Sequence, residues 1–447
     1  MSALARFFKR KGYDVSGYDK TPSELTAKLE QEGIPVHHED DPGRLPPDPG
    51  EALIVYTPAV PEDTLELKKA KESGYAVIKR AEALALVTRG GDRIAISGTH
   101  GKTTTTTLVS HILIESGMGC TAFLGGISRN YGTNFLDASK HSRFAVPPFV
   151  FEADEYDRSF LQVPPDLAVI TSVETDHLGT YSDHADIVTA FKAFAGMVSG
   201  TLIVRKDVPV SREDTDAKVF TYHLSDPAAD FHADGIQPAG KGRFRFDLHY
   251  PGGVLHDILS GIPGLVNVEN AVAAAAAALC RGVKPEAVRS AVGSFQGVKR
   301  RLEVLVDTPS AAFVDDYAHH PTELKSAIAA IRDIFPGRHV TAVFQPHLFS
   351  RTKALAKEFG QALGGADRVI LLDIYPAREK PVPGVSSYLI LKETPCPDKV
   401  LIRMEDLPGH LATGHLDVLV TFGAGSIGSI VESLKETVLE RCHKTNN

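Results

Sequence analysis

The chain has 447 residues, 43% of them hydrophobic, and a formal net charge of −8, which fits two or three globular domains. There is no basic tail or cluster, so a nucleic-acid-binding reading is excluded. The four scattered cysteines (Cys120, Cys280, Cys396, Cys442) form no metal knuckle or disulfide framework and fit a reducing cytoplasm. The longest small-apolar run, Ala271–Leu279, is too short for a bilayer, so no membrane insertion is expected.

The first residues read as a helix, a turn at Gly12 and a short strand Asp14–Gly17 closed by Asp19. In a dinucleotide-type unit a strand and a glycine turn precede such a helix. The N-terminal domain, assigned to residues 1–83, is therefore expected to be an incomplete Rossmann-like α/β layer without its first strand and glycine loop. A helix near Ser23–Glu32, strands at Ala52–Tyr56 and Ala76–Ile78, and a helix Glu62–Ser73 continue it.

The second domain, residues 84–298, contains the stretch that carries most chemistry. The β-prone run Arg93–Ser97 leads into Gly98-Thr99-His100-Gly101-Lys102-Thr103, and Thr103–Glu115 is spaced like a helix. Strand, glycine loop with lysine and helix start suit a polyphosphate, because glycines admit the phosphates and loop N–H groups present donors. Lys102 is expected on the β/γ-phosphates and the Thr103 hydroxyl on Mg²⁺. Position 96, where the usual P-loop pattern has its first glycine, is Ile, so the loop is two residues tighter.

Two further buried-type strands end in charge. Pro148–Glu152 runs into Asp154, Glu155 and Asp157, and Leu167–Val173 runs into Glu174-Thr175-Asp176-His177. Parallel-sheet enzymes gather ligands at such strand ends, and strand-end acids in nucleotide hydrolases hold Mg²⁺. A helix Ala185–Met197 carries Lys192, read as a surface lysine. A strand follows at Thr201–Val204, and residues 218–260 alternate as in an antiparallel patch. Asn267 and Asn270 then share one face at a helix start.

The third domain, residues 299–447, is expected to be a Rossmann-like α/β layer with strands Ala312–Asp315, Val340–Phe344, Arg368–Leu372 and Val418–Phe422. The last runs into Gly423-Ala424-Gly425-Ser426-Ile427-Gly428. No further strand with an acid follows it, so this is read as a close-packed strand–helix turn rather than a dinucleotide site.

Several separated motifs resemble the Mur ligases over essentially the whole chain. They are GTHGKTT at 98–104, EADEYD at 152–157, ETDH at 174–177, NVENA at 267–271, FQGVKRR at 295–301, DDYAHHPTE at 315–323, FQPHLFSRT at 344–352 and DIYPAREKPVPG at 373–384. The resemblance implies three domains, a P-loop ATPase-type central one among them. It also implies ATP and Mg²⁺ as cofactors, UDP-N-acetylmuramate and L-alanine as substrates, and a monomer or homodimer. The implied reaction passes through an acyl phosphate to an amide. Lys102, Glu152, His177 and Arg301 would form the catalytic set, with Thr103, Glu152 and His177 around the metal. Gly98, Thr99, His100, Gly101, Lys102, Thr103, Thr104, Asn267, Asn270 and Asp316 would hold the nucleotide. Tyr317, His319 and Arg351 would line the alanine pocket. Val266 and Leu348 stand where many members carry histidine and arginine. A neighbouring ligase for another amino acid or peptide, or a nucleotide-binding protein of little activity, is the alternative reading.

Overall fold

In the computed structural model, which describes residues 1–138, 147–174, 181–377, 379–413 and 416–445, Ile94, Ala95 and Ile96 are fully buried in a strand, Arg93–Ser97. That strand lies between Phe149–Glu152 and Leu167–Ile170, both parallel to it. Thr121–Phe123 extends the first side in parallel, and Phe135–Asp137 closes that edge antiparallel. Thr201–Arg205 and then Lys218–His223 extend the other side, again in parallel. Strands covered on both faces are near-continuous apolar runs, as LAVI and RIAIS are.

The chain divides into two compact units, Met1–Tyr222 with Ala273–Val288, and His223–Val272 with Arg289–Asn447. In the first, the helix Ser2–Arg10 turns Leu4 and Phe7 inward. The Phe7 ring meets Phe123 and Phe135 at 5.6 and 6.1 Å. Arg6 is buried beside them, donating to Glu32 at 2.6 and 2.9 Å and to Asn134 Oδ1 at 2.5 Å. Two small parallel pairs make up the rest of the N-terminal layer: Gly17–Tyr18 with Val36–His37, and Leu53–Tyr56 with Ala76–Lys79. The strand expected at Asp14–Gly17 is thus shorter and later. Ser23 is the N-cap of the helix Glu24–Gln31, its Oγ accepting from Thr26 N at 3.2 Å. In the core, Phe160 stacks on Phe194 at 5.0 Å and meets Phe191 edge-on at 5.2 Å. Lys192, on the helix His184–Gly196, is 46% exposed and pairs with Asp214 at 3.2 Å, as a surface lysine does.

The second unit has an antiparallel meander, Phe231–Pro238, Phe244–Tyr250 and Gly253–Leu259. Lys218–His223, expected in that patch, also pairs in parallel with Thr201–Arg205. A six-stranded sheet runs Glu303–Asp307, Ala312–Asp316, Val418–Phe422, Val340–Phe344, Arg368–Leu371, Asp398–Leu401. The first pairing is antiparallel and the others are parallel. The two edge strands are additions to the sequence reading. The glycine motif after Val418–Phe422 is a packing device. A Cβ at Gly425 would sit 2.5 Å from Gln345 Oε1, and one at Gly428 2.6 Å from Arg300 Nη1. Helical chain, Ser426–Ile430 and Val431–Thr445, follows it. Among the described residues no helix is long and apolar enough to cross a membrane.

Candidate active site

The glycine loop joins Arg93–Ser97 to the helix Lys102–Glu115. Gly98 has φ +131° and Gly101 φ +82°, backbone that side chains rarely adopt. A Cβ on Gly98 would also lie 2.1 Å from Thr171 Oγ1 and 2.7 Å from Ser172 N, so the loop is pressed against the next strand end. That strand stops at Ile170 rather than Val173 because the following residues clasp the loop. Thr99 N donates to Ser172 O at 3.0 Å, His100 N to Ser172 Oγ at 2.9 Å, and Thr171 Oγ1 to His100 O at 2.5 Å. Glu174 N donates to Thr99 Oγ1 at 2.9 Å, and the Glu174 carboxylate lies 3.4 Å from His100 Nε2.

Lys102 extends back under the loop. Its Nζ donates to Gly98 O at 2.5 Å and to both oxygens of Glu155 at 2.9 and 2.7 Å. The Glu155 side chain is fully buried and that of Lys102 is 13% exposed. Burial disfavours the ammonium, but Glu155, Asp154 and Glu152 outweigh it and hold Lys102 above its ordinary pKa. Glu152, at the end of Phe149–Glu152, accepts from the Gly125 N–H at 2.7 Å and from the Thr103 hydroxyl. Burial pushes its carboxyl upward against Lys102 and these two donors. Thr103 and Glu152 thus meet, and the next residue, Thr104, is buried. His177, the third expected ligand, lies outside the described residues.

The remaining expected site residues belong to the second unit. Asn267 and Asn270 lie in the first turns of the helix Leu265–Cys280. Asn267 Nδ2 donates to Pro263 O at 2.6 Å, and Asn270 Nδ2 to Asn267 Oδ1 at 3.0 Å, so each amide is oriented by a neighbour. Asp316 ends the strand Ala312–Asp316 and accepts from Leu302 N at 2.6 Å and Ala318 N at 2.7 Å. Burial pushes its carboxyl up to about 6, against Arg301 and the two N–H groups. The guanidiniums of Arg300 and Arg301 lie 5.2 and 5.1 Å from the Tyr317 ring centroid. Arg300 is fixed by Asp315 at 2.8 Å and by Gly423 O at 2.8 Å. His319 meets the Tyr317 ring edge-on at 5.5 Å and the His347 ring at 6.0 Å, while its N–H donates to Glu323 at 2.9 Å. Arg301, Asp316, Tyr317 and His319 therefore share one strand-end rim. Arg351 is buried in the first turn of the helix Phe349–Leu363, whose N-cap Leu348 has φ +70°.

Two residues that position this chemistry were not among the expected ones. Glu155 sat in the acid run, but four acids in six positions do not say which meets the lysine. Gly125, exposed after Thr121–Phe123, is required because a Cβ there would lie 2.2 Å from Glu152 Oε1.

Comparison with known proteins accounts for nearly the whole chain. Residues 1–91 match the model "Mur ligase family, catalytic domain", 96–278 "Mur ligase middle domain", and 300–425 "Mur ligase, glutamate ligase domain". The chain is 44% identical to the UDP-N-acetylmuramate–L-alanine ligase of Porphyromonas gingivalis W83, over 99% of this chain and 97% of that protein. It is 42% identical to the enzyme of the same name from Cytophaga hutchinsonii, over 100% and 96%. The crystal structure of UDP-N-acetylmuramate-alanine ligase MurC from Thermotoga maritima has the same fold, with TM-score 0.81 and 23% identity over 100% of this chain and 97% of that one. A murein peptide ligase from Psychrobacter arcticus superposes with TM-score 0.71 at 22% identity, over 98% and 96%. With three successive family domains in an α/β architecture and this identity along its length, the chain belongs to the Mur ligase family.

Proposed function

We propose that this chain is a cytoplasmic, ATP-dependent carboxylate–amine ligase that joins L-alanine to the carboxylate of UDP-N-acetylmuramate during peptidoglycan precursor synthesis. The reading rests on the relatives' shared name and, in the site itself, on one observation. A buried lysine lies behind a tight glycine loop, with a Thr103–Glu152 pair at the adjacent strand end. The proposed domain limits are 1–83, 84–298 and 299–447.

The chemistry must bring a carboxylate up to a triphosphate, two anions that repel. The loop N–H groups of Gly98–Thr104 and the Lys102 ammonium offset that repulsion and stabilise charge on the transferring phosphoryl group. The substrate carboxylate oxygen attacks the γ-phosphorus and ADP leaves, giving an acyl phosphate. The amine of alanine then attacks the acyl carbon, and phosphate leaves from the tetrahedral intermediate. Thr103 and Glu152 fit Mg²⁺, because both offer hard oxygen and a carboxyl strained by burial gains most from a cation. His177 is the third proposed ligand. When bound, Mg²⁺ would neutralise phosphate charge. Asn267, Asn270 and Asp316 are assigned to nucleotide contacts and Arg301 to phosphate. Tyr317, His319 and Arg351 are assigned to alanine, with Arg351 for its carboxylate.

The test is phosphate release from ATP with UDP-N-acetylmuramate and a panel of amino acids and short peptides. L-Alanine is expected to support turnover above the rest. Release with another amino acid or a peptide, and none with L-alanine, would overturn the assignment.

A further inference from the structure

Glu155 has no role in the reaction as set out above, yet both of its carboxylate oxygens accept from the phosphate-loop lysine. We propose that Glu155 is a positioning residue that holds the Lys102 ammonium under the glycine loop, at the height from which it grips the triphosphate. The proposal rests on the assignment of Lys102 to the phosphates.

The geometry is specific. An ammonium has three N–H donors. The donors of Lys102 meet Gly98 O at 2.5 Å and the two Glu155 oxygens at 2.9 and 2.7 Å, with Thr99 O farther off at 3.4 Å. A flexible four-carbon stem is thereby reduced to one placement. A fully buried carboxylate cannot be left without its cation, since breaking such a pair is far costlier than never building it. Lys102 therefore stays on Glu155 and exchanges only part of its bonding when a phosphate arrives.

Glu155 is itself anchored from distant parts of the chain. Its carbonyl accepts from the Tyr181 hydroxyl at 2.7 Å. Two and three residues on, Asp157 and Arg158 both have left-handed backbone, with φ of 56° and 54°. Such backbone persists only where surrounding contacts impose it. Lys79 holds Asp157 at 2.8 Å, Asp186 holds Arg158 at 2.6 Å, and the Arg158 guanidinium lies 5.1 Å from the Tyr181 ring centroid. A strained, pinned turn directly after Glu155 fixes where its carboxylate points.

The test is a double-mutant cycle on the full chain, read by binding of a non-hydrolysable ATP analogue and of ADP, and by steady-state kinetics. Lys102→Met should weaken analogue binding at least about tenfold. Glu155→Gln should weaken it by a similar factor and lower kcat by roughly 10²-fold, with KM for L-alanine unchanged. In the Lys102→Met background, Glu155→Gln should cost nothing more. Glu155→Asp, charged but one methylene short, should fall between Gln and wild type, and it carries the test if the Gln variant does not fold. The double variant has no buried charge to strand and serves as the folded reference. Full additivity of the two substitutions, or wild-type kcat and analogue binding in Glu155→Gln, would overturn the proposal. If Lys102→Met binds the analogue as wild type does, the phosphate role of Lys102 fails first, and the positioning role falls with it.

Discussion

Gly125→Ala isolates the support behind Glu152. Gly125 does not have the left-handed backbone of Gly98 or Gly101, so alanine meets no conformational penalty there. It meets the Glu152 carboxylate, at 2.2 Å from Oε1 and 2.6 Å from Cδ and Oε2. For ordinary contact the carboxylate must retreat by roughly 1 Å, and the 2.7 Å bond from the Gly125 N–H is lost. A hydrogen bond to a charged group contributes about 1.5–3 kcal/mol. A displacement of about 1 Å near reacting groups costs on the order of 10²-fold in rate. The expected result is a fall in kcat of about 10–100-fold, a higher Mg²⁺ concentration for half-maximal rate, and an unchanged KM for L-alanine. Phosphate release measured against Mg²⁺ concentration reads all three, and a melting curve checks the fold, which the exposed position should leave intact. Turnover within about twofold of wild type, at the same Mg²⁺ requirement, would refute the placement of Glu152.

Lys102→Ala should reduce phosphate release by at least about 10²-fold. Because it strands the buried Glu155, it should also destabilise the first unit by about 3–5 kcal/mol, read by urea unfolding. Phe160→Ala removes a ring stacked on Phe194 and meeting Phe191, and should cost about 3–5 kcal/mol in the same assay. Asp316 gives a pH signature. Its folded carboxyl titrates at about 6 against 3.8 unfolded, so the folded state binds the extra proton between those values. Its stability contribution is complete below 3.8 and is lost as pH rises through about 6, a change of about 3 kcal/mol. Relative to Asp316→Asn, wild type should therefore lose stability from pH 4 to pH 7. Parallel stability–pH curves for the two proteins would contradict the burial of that carboxyl.

The phosphate loop was legible because its glycines answer to local backbone geometry. Gly98 and Gly101 have positive φ, and their spacing in the sequence already marks a tight loop between strand and helix. The ends of Phe149–Glu152 and Ala312–Asp316 were legible for a related reason, since an apolar run ending in acids marks a buried strand reaching a rim. What was not legible depends on residues far apart in the chain. Which acid of 152–157 meets Lys102 is decided by Tyr181, Lys79 and Asp186, which pin the turn after Glu155. The need for glycine at 125 arises from a carboxylate 27 residues later. Lys218–His223 alternates like the meander that follows it, and only its pairing with Thr201–Arg205 makes it a parallel strand. The edge strands Glu303–Asp307 and Asp398–Leu401 carry charge at their ends and are only partly buried, so the apolar signal of an inner strand is missing.

The central claim is that the γ-phosphate passes to a carboxylate. UDP-N-acetylmuramate labelled with ¹⁸O in that carboxylate, turned over with ATP and L-alanine, tests it directly. Attack by the carboxylate and departure of phosphate from the acyl carbon carry one labelled oxygen into each phosphate released. Phosphate that contains no label, with both labelled oxygens still on the sugar product, would contradict the account.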